Sequence, residues 1–298
     1  MRPGPLRAGP LSITADTGSA GSVLLMAQAL LPCALFAHGG PSAHVTLDLR
    51  GGTDAAKAPP VAYLESVLLP TLRRALGIDV SVEHVHRGFY PQGSGRLVLR
   101  VAPLPPGAAL PAFDLTDRGP IVDLSIRAFV AGLVPRAAGS AMVRAARAVL
   151  RREKPEAMGL GPGVSPDDRG VQEVGPDAAF GSGSGVAAAA RSQTGCLLCA
   201  ARPGERDRDE EVGDEVGDEL AWALRAGGCC DEWLQDQLII FMALARGTSR
   251  ITTCEPTLHT RTAIAVAQQL CGAQFDVQDR GGGAWEIACE GIGWQAPA

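Results

Sequence analysis

Lysine is nearly missing from this 298-residue chain. Two of its 27 basic residues are lysines, Lys57 and Lys154, and the rest are arginines. Chemistry that needs several lysines, as covalent nucleophiles or phosphate anchors, therefore has few candidates. Long apolar runs are missing too. The longest, Ser22–Ala37, is broken by Gln28 and Pro32 and falls short of the ~20 residues of a membrane-spanning helix. It lies behind Asp16, too far in for a simple signal segment, so a soluble protein of a reducing compartment is expected. No GxxxxGK[ST] loop, HExxH, GxSxG or strand-borne GxGxxG occurs, which excludes the common nucleotide and hydrolase signatures. FGSGSG is too short to count as a dinucleotide loop.

Hydrophobic residues make up 46% and charged residues 20%, as in a globular chain, and the length allows about two domains. The net charge of -5 rules out a uniformly basic surface but leaves room for local basic sites. Nine acids and three arginines fall between Ala201 and Glu219, so the remainder of the chain is close to neutral. That acidic stretch reads as a solvated loop or helix face. Among eight cysteines, Cys196 and Cys199 have a metal-like spacing. In an apolar strand, however, residues three apart face opposite sides, and no histidine lies within ligand spacing, so buried thiols are expected.

The pattern of elements is mixed. A ragged Pro/Gly/Arg-rich start leads to TADTGSAGS, read as a loop feeding a helix from Val23. Alternating strands are expected at His44–Leu49, Ile78–His84 and Leu97–Val101. A helix over Val61–Leu76, kinked at Pro70, joins the first two. After Asp117 the texture changes. Strand-like Ile121–Leu133 is followed by a basic helix, Ser140–Arg152, a Gly/Pro/Asp-rich linker, Gly159–Pro176, and two strands, Val186–Ala190 and Cys196–Ala201. A helix around Glu219–Arg225 closes this block. From Asp231 the first texture returns: a helix capped by Asp231 and ended by Gly247, a strand Arg250–Thr253, a helix capped by Thr260 or Thr262, and strands Phe275–Val277 and Trp285–Cys289. The expected architecture is α+β, residues 1–117 and 225–298 forming a discontinuous domain around a smaller module, 118–224.

Five histidines are present, His38, His44, His84, His86 and His259. His259 stands out, because it is placed just before a capped helix. The positive end of a helix disfavours an imidazolium and attracts phosphate, as suits a nitrogen nucleophile. A structural hydrogen bond is the competing account. Asp236 and Gln237, side by side in an apolar helix, need partners that a ligand or a neighbouring helix would supply.

Six blocks, TADTGSAGSVLLMAQALLP, GGTDAAKAPP, HRGFYPQGSG, RAFVAGLVP, DEWLQDQLIIFMALARG and LHTRTAIAVAQQL, resemble in order the RNA 3′-terminal phosphate cyclases. The resemblance implies repeated βαβαββ units with a smaller inserted α+β domain. The family's first βα segment, with its EGGGQ-type motif, has no counterpart here, so an incomplete first repeat is expected. It also implies ATP and a divalent cation, Mg or Mn, as cofactors, RNA with a 3′-phosphate end as partner, and no membrane. The nucleus is the expected location in a eukaryote and the cytoplasm otherwise.

By matching blocks, His259 resembles the adenylated nucleophile, and Gln28, Pro59, Trp233, Asp236 and Gln237 resemble nucleotide contacts. Trp233 stands where the family pattern has tyrosine. Its indole keeps a stacking face but lacks the phenol hydroxyl. Arg87 is expected to touch RNA. The alternatives are a catalytically inactive cyclase-like protein of rRNA processing, which would lack the histidine, and an inactive product. A distant enolpyruvyl transferase would need more phosphate-binding lysines than this chain has.

Overall fold

The computed structural model describes residues 11–38 and 43–297. Most of the ragged start, residues 1–10, lies outside them. The first unit runs β1 (Leu11–Asp16), α1 (Val23–Leu35), β2 (Val45–Gly51), a helical stretch, β3 (Val80–Gly88) and β4 (Gly95–Val101). Leu11–Asp16, expected as ragged chain entering a loop, is a strand. Its side chains alternate between half-buried and exposed, and it pairs parallel with β2. Ser22 caps α1 by accepting hydrogen bonds from the N–H groups of Leu24 and Leu25.

The helical stretch is not one regular helix. It consists of α2 (Val61–Tyr63), a π-helical segment (Leu64–Leu68) and α3 (Leu69–Leu76). Pro70 has no N–H to bond the carbonyl four residues back, and the helix widens just ahead of it. In the turn that follows β3, Gly93 adopts φ +73°, and a Cβ there would meet the Ser19 carbonyl oxygen at 2.4 Å. Only glycine lets this turn lie against the β1–α1 loop.

A short strand, β5 (Asp114–Leu115), precedes the middle block. That block comprises β6 (Ile121–Ala131), α4 (Arg136–Arg152), β7 (Asp167–Val174), β8 (Ala179–Phe180), β9 (Gly183–Ser192), β10 (Leu197–Pro203) and α5 (Asp209–Ala226). The linker expected over Gly159–Pro176 thus contains a strand, β7, paired parallel with β6. Its polar, largely exposed sequence lacks the apolar alternation that marks a strand, and it forms an edge of its sheet. The acidic stretch is mostly helix α5. Val212, Gly213, Val216, Gly217 and Leu220 are buried on one side while Glu210, Glu211, Asp214 and Asp218 are exposed. Glycines permit this packing: a Cβ on Gly213 would meet the Met142 carbonyl oxygen of α4 at 2.3 Å.

The chain ends with α6 (Glu232–Leu244), β11 (Arg246–Thr253), α7 (Leu258–Cys271), β12 (Gln274–Gly281) and β13 (Ala284–Ile292). Helix α6 stops at Leu244. Gly247, expected to end it, lies inside β11. The cap of α7 is Thr257, whose hydroxyl accepts from Thr260 N–H.

Two sheets share one topology. The first has the order β1-β2-β4-β3, extended at its edge by β8, and the last has the order β12-β13-β11-β5. Within each four-stranded unit the two strands that come first in the chain, β1 and β2 or β5 and β11, are parallel and the other pairings antiparallel, while the added β8 pairs parallel with β3. Both are therefore βαβαββ units, and the middle sheet, β10-β9-β6-β7, lies between the first strand and the first helix of the second unit. One apolar core joins both units with part of the middle sheet, including Ala187, Cys199 and Ala201. A second core lies between the middle sheet and α4 and α5. Among the described residues no helix is long and apolar enough to cross a membrane.

Candidate active site

A cleft of 520 Å³ opens where α1, the loop after β2, the end of β10, and helices α5, α6 and α7 converge. It is lined by Gln28, Pro59, Trp233, Asp236, Gln237 and His259, together with Lys57, Arg202, Glu219 and Glu232. Six residues singled out in sequence, spread over more than 200 positions, thus share one cavity.

His259 is exposed on the first turn of α7, rather than before the helix, because the cap is Thr257. The loop ahead of it is held from α6. Gln235, fully buried, accepts a hydrogen bond from Thr257 N–H through Oε1 (3.2 Å) and donates from Nε2 to Cys254 Sγ (3.3 Å). Gln235 is therefore a positioning residue for the histidine helix.

Gln237 is buried at 2% exposure. Its Oε1 is the one buried side-chain nitrogen or oxygen without a hydrogen-bond partner among the described residues. An orphaned acceptor costs about 1–3 kcal/mol, which a ligand that donates to it removes. Trp233 Nε1 donates to Glu219 Oε1 (3.4 Å), and Glu219 Oε2 accepts from Arg202 Nε (3.2 Å). This chain of contacts fixes the indole at the cleft wall. Lys57 sits at the same wall in the left-handed region, φ +59°, which is uncommon for a residue with a side chain.

Burial sets the carboxylates. It pushes Asp236 up to about 6, with His259 pulling the other way. It pushes Glu219 up to about 7, helped by Glu232. Behind the cleft, Asp231 is also pushed up to about 6 by burial, although four donors reach it. Each group holds its proton more tightly folded than unfolded. Their contribution to stability is complete below about pH 4 and is lost as pH rises through 6 to 7. The Asp236→Asn variant should therefore gain on wild type, by on the order of 1–2 kcal/mol, as pH rises from 5 to 8. Urea midpoints across that range test this, and a gap that narrows with pH would contradict it.

Arg87 is not in the cleft. Its guanidinium bonds both carboxylate oxygens of Asp54 (2.9 and 2.8 Å) and lies 3.8 Å from the Phe129 ring centroid. Its charge is spent on a structural contact between the first unit and the middle sheet. Glu219, Arg202 and Lys57 escaped sequence reading. Glu219 was submerged in an acidic run, and only the i, i+4, i+8 spacing of Val212, Val216 and Leu220 hinted at a buried helix face. Cys196 lies in the turn before β10 rather than on the strand, and Cys199 is buried. The two cysteines therefore do not share a strand. Among the described residues no group of three or more His, Cys, Asp or Glu could hold a metal ion.

Two like-ordered βαβαββ units and a middle sheet, with a histidine-bearing cleft where they meet, define an α+β protein of repeated units. The chain belongs to the RNA 3′-terminal phosphate cyclase family, whose profile matches residues 1–277. It is similar to the RNA 3′-terminal phosphate cyclase of Drosophila melanogaster, 36% identical over 279 residues, covering 93% of this chain and 73% of the relative. The Pyrobaculum neutrophilum protein of that name is 33% identical over 295 residues, with 99% and 78% covered. The one from Caldivirga maquilingensis is 34% identical over 280 residues, with 94% and 74% covered.

Proposed function

We propose that this chain is an RNA 3′-terminal-phosphate cyclase, an ATP-consuming ligase that converts an RNA 3′-phosphate into a 2′,3′-cyclic phosphodiester. The observation that carries this reading is the meeting of His259, the orphaned Gln237 acceptor, Trp233 and the carboxylates in one cleft. The cleft residues fit a nucleotide. The Trp233 indole offers a stacking face for a purine, Gln237 Oε1 an acceptor for a donor on the nucleotide, and Lys57 and Arg202 positive charge for phosphates. A divalent cation, Mg or Mn, would enter with the phosphates and take one or two carboxylates, for which Glu232 and Asp236 on the cleft wall are the candidates.

The chemistry follows from leaving groups. An oxygen of a phosphate monoester leaves poorly, so the 2′-hydroxyl cannot displace it unaided. In the proposed route a ring nitrogen of His259 forms a bond to the α-phosphorus of ATP as the bond to pyrophosphate breaks. An oxygen of the RNA 3′-phosphate then attacks that phosphorus and frees the imidazole. Finally the 2′-hydroxyl attacks the RNA phosphorus, expels AMP and gives its proton to solvent. The last step is intramolecular and gains the effective-concentration advantage of a tethered nucleophile.

An RNA ending in a 3′-phosphate, incubated with the protein, Mg²⁺ and ATP, should become resistant to phosphatase, with one AMP released per end. Conversion that proceeds equally without ATP, or no conversion at all, contradicts the proposal.

A further inference from the structure

The 520 Å³ cleft is not isolated. Ala201 and Arg202 also line a smaller cavity of 110 Å³. Arg127 and Ala187 are shared in turn between that cavity and another of 190 Å³. The three form a continuous crevice from His259 outward, between the helical stretch that carries Glu65 and Ser66 and the face of the middle sheet turned away from α4 and α5.

The sheet side of this crevice is floored by small residues of β9, Gly185, Ala187 and Ala189. Two exposed arginines stand over the floor. Arg127 is opposite Ala187, and Arg191 is opposite Asp123. Arg191 therefore lies four residues along the ladder from the Arg127 position, roughly 13 Å at 3.3–3.4 Å per residue. Among the described residues neither arginine makes an ion pair, unlike Arg87 and Arg202 beside them. The acids nearby leave them free: Asp54 is taken by Arg87, and Asp123 by Arg169 at 3.2 Å. Glu65 is the remaining carboxylate lining the two smaller cavities.

Two guanidiniums without ion-pair partners among the described residues, too far apart for one phosphate, beside a β9 floor of glycine and alanine, complement an extended polyanion. We infer that this crevice is the path of the single-stranded RNA leading into the cleft, with Arg127 and Arg191 each holding a backbone phosphate upstream of the reacting end. The inference rests on the function proposed above, in that the RNA end lies at His259. It adds residues and a direction for the strand.

Binding of a fluorescent single-stranded RNA 12-mer ending in a 3′-phosphate, measured by anisotropy over a salt series, tests it without requiring turnover. Each single-strand phosphate contact contributes about 0.7 to the slope of log K against log salt. The Arg127→Gln/Arg191→Gln variant should bind at least about 10-fold more weakly at low salt, with a slope shallower by about 1.4. An Arg151→Gln/Arg152→Gln variant, changed at the exposed end of α4 away from the crevice, should match wild type. Unchanged affinity and slope in the crevice variant would overturn the inference, as would equal losses in the two variants. AMP labelling of the protein needs no RNA and should survive in the crevice variant. Loss of labelling in wild type itself would strike the proposed reaction, while the binding series would still decide the RNA path.

Discussion

The His259→Ala variant is expected to lose at least about 10³-fold of the AMP transfer from ATP to protein, because it removes the nitrogen proposed to carry the adduct. The fold should not suffer. The ring is exposed on the first turn of α7, the turn is capped by Thr257, and Gln235 holds the preceding loop from α6. Lys57 is the other nitrogen nucleophile on the cleft wall. Its replacement by alanine should raise the ATP concentration needed for labelling and leave the labelling capacity intact. Incubation with α-labelled ATP followed by denaturing gel electrophoresis separates the cases. A His259→Ala protein that labels like wild type, or a Lys57→Ala protein that does not label at all, would move the nucleophile away from His259.

The second large effect is on stability. Asp231 is 3% exposed and joins three parts of the molecule. Its Oδ1 accepts from Tyr63 Oη (2.6 Å) and from the N–H groups of Trp233 (3.1 Å) and Leu234 (2.8 Å). Its Oδ2 accepts from Cys199 N–H (2.8 Å). Helix α6, the first unit and β10 are tied at this carboxylate. The Asp231→Ala substitution removes the helix cap and strands a buried hydroxyl and a buried N–H, for an expected loss of about 3–5 kcal/mol. Asp231→Asn should cost less. The amide oxygen can keep the three donors of Oδ1, while its NH₂ faces the Cys199 N–H, donor against donor. Denaturant midpoints at pH 7 measure both. Equal losses in the two variants would contradict this, because they would mean that the three Oδ1 contacts kept by asparagine add nothing beyond the tie to β10.

Much of the architecture was legible because burial writes itself into periodicity. The α6 stripe Leu234, Leu238, Ile239 and Met242 repeats at helical spacing, and all four side chains are buried. Its Asp231 cap was legible for the same local reason. Strand β7 was hidden because its exposed polar residues carry no alternation. The first strand of the second βαβαββ unit, β5, was hidden because it is two residues long and the middle block separates it from the rest. In the cleft, residues with distinctive chemistry, His259 and the Asp236–Gln237 pair, could be marked from sequence. Glu219 could not, since its role comes from where α5 lies against Trp233, not from its neighbours in the chain. Arg87 shows another limit: a basic residue by a glycine-rich turn reads as a free positive charge, and only the fold shows that Asp54 pairs with it.

The most direct test is to trap the AMP adduct on the full-length protein and map it by peptide mass spectrometry. A phosphoramidate at the peptide Leu258–Arg261, lost in mild acid and stable in base, is the predicted result. An acid-stable adduct on Lys57, or no adduct on any peptide under conditions that cyclise RNA ends, would contradict the account.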